Sequence, residues 1–235
     1  MKLNQFKGFL TKKKRNSDPI FCRLFYRPIS LYLAWILFKI GINANTVTIF
    51  SIFLTFLACF LFIYGNFISA IFGSIIFMLI AICDCIDGNI ARASEKLSIK
   101  GEWLDASLGY ILYGFQPISI GIYLEKNSYG NFFQGFWIMI GALISILNLL
   151  SRIFFQKYIN IISKFNSTNQ VNLKSSFSIG NEIGMVGFMM PLLIIATLIQ
   201  RLDIYIIFYF LVYILTFIYV FFNISKKLEN FSQLT

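Results

Sequence analysis

Of the 235 residues, 58% are hydrophobic and only 13% are charged, whereas a soluble domain is about half apolar and about a quarter charged. That balance excludes an ordinary soluble domain. The net charge of +10 lies between apolar runs, so it points to a bilayer rather than to nucleic acid. Histidine is absent, which excludes a histidine-ligated zinc site and a histidine general base.

The first 27 residues are basic and polar. Lys12, Lys13, Lys14 and Arg15 run into Asn16, Ser17, Asp18 and Pro19 rather than into an apolar core, so they do not form a cleavable signal peptide. Residues 28–41 carry Leu31, Leu33, Trp35, Ile36, Phe38 and Ile40 and predict a short amphipathic helix in the membrane interface. Asn43, Asn45 and Thr46 open a first span that runs to Tyr64, with Asn45 and Thr46 as helix-capping residue types. A second span covers 67–93, and a polar link, 94–101, leads to a third at 102–124. After a turn with Asn127, Ser128, Gly130 and Asn131, a fourth span covers 132–158. A stretch rich in Asn, Ser and Lys, 159–181, precedes a fifth span at 182–199 and a sixth at 204–222. Cys22, Cys59, Cys83 and Cys85 read as free thiols.

This pattern predicts an all-α integral membrane protein with six transmembrane helices behind an N-terminal amphipathic interfacial helix. Its parts are a basic juxtamembrane segment at 1–42, a six-span domain at 43–224 and a cytoplasmic tail at 225–235. The basic residues support the count. With both termini cytoplasmic, 18 of the 20 lysines and arginines fall inside, and only Lys126 and Arg201 fall outside.

The chemistry gathers at one place. Half of the ten acidic residues lie between Asp84 and Asp105. A carboxylate inside a bilayer costs about 2.5–3.5 kcal/mol on insertion scales, so several together need a reason. Asp84 and Asp87 are spaced i, i+3 on one helix face. Asp87 lies about 7.5 Å along the helix from Arg92, and Asp105 about 6 Å into the third span from Gly101. Across a short link, Asp84, Asp87 and Asp105 are therefore expected to meet at one level and to bind Mg²⁺ or Mn²⁺, because hard cations choose carboxylate oxygens. Gly88 clears the helix surface for a ligand, and Arg92 offers a bidentate contact to phosphate. A plain buried polar network is the alternative for the aspartates. Arg152 and Lys157, at the cytoplasmic end of the fourth span, suit either a phosphate contact or simple positive-inside placement.

The stretch Asp84-Cys-Ile-Asp87-Gly88-Asn-Ile-Ala91-Arg92, eight residues, then Gly101-Glu-Trp-Leu-Asp105, resembles the signature of the CDP-alcohol phosphotransferase (CDP-alcohol phosphatidyltransferase) family. That signature reads D-x-x-D-G-x-x-A-R, eight residues, G-x-x-x-D-x-x-x-D. Seven of its eight fixed positions match with both spacings intact. Asn43-Ala-Asn45-Thr46-Val-Thr48 resembles the opening of the family's first span. The eighth position departs: the last aspartate would stand at 109, and this chain has Gly109.

The resemblance implies a membrane phosphotransferase that moves a phospho-alcohol or phosphatidyl group from a CDP-linked donor to an acceptor hydroxyl and releases CMP, in phospholipid or related glycoconjugate synthesis. It implies metal at Asp84, Asp87 and Asp105, and nucleotide at Gly88, Ala91, Arg92 and Gly101. Catalytic roles fall to Asp105 and, as a substitute base, Glu102. Its partners are the donor, an acceptor alcohol and membrane lipids, with no nucleic acid and with room for a homodimer. The expected setting is the inner membrane of a prokaryote, with the site facing the cytoplasm. Gly109 keeps a second reading open, a relative that binds nucleotide and metal with weak or altered chemistry and holds one metal tightly. A cation transporter is disfavoured, because 68–79 carries no acid and only Ser69 and Ser74 as polar side chains.

Overall fold

Apolar runs closed by capping residues form the framework of the computed structural model, which describes residues 2–9, 17–94, 98–130, 132–165 and 182–232. The basic run 12–15 and most of the polar stretch 159–181 lie outside them. Every regular element among the described residues is helical. Helix α1 is Leu3–Gly8, and a π-helical turn at Cys22–Tyr26 leads into α2, Arg27–Ile40. Helices α3 (Ala44–Tyr64) and α4 (Phe67–Ala93) start and stop within two residues of the predicted spans. Gly65 between them has φ +91°, a left-handed conformation that glycine adopts without strain. Asn66 then caps α4 by accepting from the Ser69 amide at 2.6 Å. Helix α5 is Ile99–Lys126 and α6 is Phe136–Phe165. A second π-helical turn, Met185–Met189, precedes α7 (Met190–Leu198), and α8 is Leu202–Ser232.

Among the described residues, four helices are long and apolar enough to cross a membrane: Ala44–Tyr64, Phe67–Ala93, Phe136–Lys164 and Leu202–Glu229. The six predicted spans thus correspond to four such helices, and the difference has a physical cause. Helix α5 has the length, but Gln116, Pro117, Ser107, Ser119 and the glycines and tyrosines of its central stretch dilute its apolarity. The segment Met185–Leu198 is apolar but short. The predicted link also ends earlier than expected, since Ser98 caps α5 by accepting from the Gly101 amide at 2.9 Å and so draws Gly101 into the first turn.

Helix α3 packs against both α4 and α5, α5 against α6, and α6 against α8; α2 and α7 each lie along α4. Among the described residues α4 and α5, the two helices that carry the aspartates, scarcely touch each other. Large apolar side chains such as Phe53, Phe60, Phe72, Leu215 and Phe222 point outward, as the lipid-facing side of a bundle requires. Helix α2 buries Arg27, Ser30 and Ala34 and leaves Ile29, Tyr32, Leu33 and Ile40 exposed.

In lipid, helices associate by close packing of small residues rather than by the hydrophobic effect. Helices α5 and α6 do so reciprocally. A Cβ on Gly121 would collide with the Trp137 carbonyl, and one on Gly141 with the Pro117 carbonyl. This clamp joins the start of α6 to the later half of α5, at the end of the pair away from the aspartates. Gly141→Ala should therefore force the helices apart and destabilise the protein by about 1–3 kcal/mol, the usual cost of overpacking. Thermal melting in detergent checks this, and an unchanged midpoint would show that the contact relaxes freely.

Candidate active site

Asp87 is buried at 7% exposure in α4, and its Oδ2 accepts a 2.7 Å hydrogen bond from the Thr48 hydroxyl of α3. Thr48 also reaches the Ala44 carbonyl at 3.2 Å, so its side chain is held from two directions. Asp84, one turn deeper, is half-buried, and Asp105 on α5 is exposed. The charges of Asp84 and Asp105 both act on Asp87, which places the three carboxylates in one neighbourhood. They do not converge as closely as expected from equal depth on adjacent helices. Among the described residues, no three His, Cys, Asp or Glu side chains are gathered tightly enough to hold an ion. The reason is the packing: α3 braces both α4 and α5, and those two stand apart.

Gly88 and Arg92 come together one turn apart on α4. A Cβ on Gly88 would lie 3.4 Å from Arg92 Nη2, so the guanidinium lies across the bare backbone that glycine leaves. Arg92 Nη2 donates to Asn89 Oδ1 at 2.8 Å, while its buried Nε has no hydrogen-bond partner. Ala91 follows Asp87 by one turn on the same helix. Gly101 faces elsewhere: a Cβ there would come within 3.0 Å of Asn45 Oδ1 and of Ser98 Oγ, so its small size seats the start of α5 against the start of α3. Glu102 is exposed in the first turn of α5 and forms no side-chain hydrogen bond among the described residues. An acid there suits the positive end of the helix dipole.

A buried network behind Arg92 is not evident in the sequence. Arg27 at the start of α2 makes a two-pronged contact with Asp18, Nε to Oδ2 at 2.6 Å and Nη2 to Oδ1 at 3.0 Å. Its Nη1 donates to the same Asn89 oxygen that Arg92 uses, at 3.2 Å, and Asn89 Nδ2 donates to Ser30 at 3.3 Å. Burial opposes the Arg27 charge, yet the Asp18 hydrogen bonds and charge outweigh it and hold the Arg27 pKa above its ordinary value. Asn89 therefore ties α2 and the segment before it to the residue that presents Arg92. All four cysteines are free, as expected, and near this seam Cys22 and Cys85 lie with their sulfurs 3.6 Å apart. The signals for these residues, a lone Asp18 and an Asn inside a helix, acquire meaning only through contacts across 9 to 62 residues.

At position 109 the bare backbone faces α6. A Cβ there would meet Arg152 Nη1 at 3.4 Å. Arg152 Nε donates to Asn148 Oδ1 at 2.9 Å, and the guanidinium lies over the Tyr113 ring, 4.4 Å from its centre. The Tyr113 hydroxyl in turn accepts from the Met185 amide at 2.9 Å.

Compared with known families, residues 41–222 match the family model described as CDP-alcohol phosphatidyltransferase. No curated protein matches the chain.

Proposed function

The chain belongs to the CDP-alcohol phosphatidyltransferase family, and on that premise we propose that it transfers a phospho-alcohol or phosphatidyl group from a CDP-linked donor to an acceptor hydroxyl. The family consists of transferases that use a CDP-alcohol donor and an alcohol acceptor and serve phospholipid synthesis. The observation that carries the reading is the arrangement on α4, where Asp84 and Asp87 stand one to two turns from a guanidinium laid across Gly88.

In the reaction, the acceptor oxygen bonds to the phosphorus next to the transferred alcohol. The bond from that phosphorus to the bridging oxygen breaks, and the electron pair leaves with CMP. Members of the family generally depend on a divalent metal, and the donor set here suits one in chemistry, being all carboxylate oxygen. Asp84, Asp87 and Asp105 are the carboxylates that would hold Mg²⁺ or Mn²⁺, drawn closer by the ion than they stand without it, and the ion's charge would offset that of the pyrophosphate. Thr48 fixes the Asp87 carboxylate in one orientation. Arg92, Gly88 and Ala91 would form the nucleotide end, with Arg92 supplying charge-assisted hydrogen bonds, while Gly101 seats the start of α5 against α3. The acceptor proton passes to a carboxylate on α5; with no acid at 109, Asp105 and Glu102 are the candidates. In this reading α5 and Met185–Leu198 also cross the membrane, completing six crossings with both termini and the site on the cytoplasmic side.

Purified protein given a panel of CDP-alcohols with Mg²⁺ or Mn²⁺ should release CMP with at least one of them, and release should stop when the metal is chelated. Gly109 favours one other reading, altered chemistry on a retained binding site. Its mark would be CDP binding without CMP release from any donor and acceptor in the panel.

A further inference from the structure

We propose that Arg152 contacts the phosphate group being transferred, its guanidinium standing where an aspartate at 109 would project. This rests on the transferase reading above and deepens it, by naming a fixed side-chain cation on the far side of the site from Arg92.

Four observations carry the assignment. Glycine at 109 leaves space that Arg152 enters, with Nη1 3.4 Å from where a Cβ would lie. The guanidinium is held from two sides, by Asn148 Oδ1 at 2.9 Å and by the Tyr113 ring at 4.4 Å, so it is oriented before any ligand arrives. Its Nε is used by Asn148, and the Tyr113 side chain takes a further hydrogen bond from the guanidinium. A guanidinium carries five N–H donors, so one held by these two neighbours keeps others to offer an anion. Finally, Arg152 stands beside position 109, one turn deeper along α5 than Asp105, which places it on the deeper side of the site. Asp84 lies eight residues from Arg92, about 12 Å along α4. With Arg92 at the nucleotide end, the phosphate nearer Arg152 is the one farther from the cytidine, and that is the one transferred.

The test compares CDP, which carries that phosphate, with CMP, which lacks it. Full-length protein in lipid nanodiscs with saturating Mg²⁺ is titrated calorimetrically with each nucleotide. The parent should bind CDP more tightly than CMP. Arg152→Gln should weaken CDP about 10–100-fold, the worth of a charge-assisted hydrogen bond, and leave CMP unchanged. Arg152→Lys keeps the charge but not the planar fork and should lose less. Gly109→Asp should reproduce the selective loss, because the new carboxylate sits within reach of the guanidinium and pairs with it. The double variant Gly109→Asp with Arg152→Gln should lose no more than Arg152→Gln alone, since the two changes act on one group. Should Arg152→Gln fail to fold, Gly109→Asp alone decides the matter. Equal weakening of CDP and CMP, no weakening of either, or a parent that binds the two alike overturns the assignment. A parent that binds neither nucleotide overturns the transferase reading itself, and this assignment with it.

Discussion

Asp87→Asn should lower CMP release by about 10³-fold or more while the protein stays folded. The substitution is nearly isosteric, and an amide oxygen can still accept the 2.7 Å hydrogen bond from Thr48, so the contact between α3 and α4 survives. What goes is a negative charge that is only 7% exposed and flanked by the charges of Asp84 and Asp105. Asp84 and Asp87 lie one turn apart on one helix face with Asp87 buried, so their charges repel, and a bound cation would relieve that repulsion. Two effects of opposite sign follow. Without metal, Asp87→Asn should melt higher than the parent, because one repelling charge has gone. With Mg²⁺ and CDP, the parent should gain stability and the variant should not. Charge stabilisation of several kcal/mol by a bound metal, at 1.36 kcal/mol per tenfold, gives the rate loss stated. A variant that releases CMP within tenfold of the parent would remove Asp87 from the site.

Gly88→Leu should weaken CDP binding about 10–100-fold, again without unfolding. Leucine favours helix by nearly 1 kcal/mol over glycine, so the helix itself gains. The larger side chain enters the space now spanned by the Arg92 guanidinium, whose Nη2 lies 3.4 Å from the Cβ position. Arg92 is then pushed off Asn89 and away from the ligand, at the cost of a charge-assisted hydrogen bond. Gly88→Ala is the control: a methyl group at 3.4 Å makes an ordinary contact, and binding should fall only a few-fold. Calorimetric titration with CDP separates the cases. Parent-like affinity in the leucine variant would show that the bare backbone at 88 serves helix packing alone.

Much of this protein is legible in its sequence because lipid makes strong demands on composition. An apolar run such as Ala44–Tyr64 or Phe67–Ala93 has few alternatives to helix, since every backbone group must be satisfied within the segment, and Gly65 with Asn66 marks the break between them. The spacing of Asp84, Asp87, Gly88 and Arg92 on one helix is local, so helical periodicity alone puts them together. The family, too, is carried by residues within 22 positions of one another.

The tertiary structure decided what periodicity leaves open, namely which face meets which neighbour. Hydropathy ranks segments but names no partners, and in lipid the pairing follows from backbone fit at residues such as Gly121 and Gly141. For that reason α5 packs on α6 and α3 rather than on α4, and the aspartates stand apart instead of converging. The same packing gives Thr48 to Asp87 across 39 residues and joins Arg27 to Asn89 across 62. Helix α5 also shows why the predicted span count differs from the number of helices apolar enough to cross. Gln116, Pro117 and the glycines, serines and tyrosines of its middle lower its apolarity, and its packing between α3 and α6 is a property of the fold. Gly109 is visible in the sequence only as a missing carboxylate. That a guanidinium from α6, 43 positions along the chain, reaches the space it leaves is fixed by helix pairing alone.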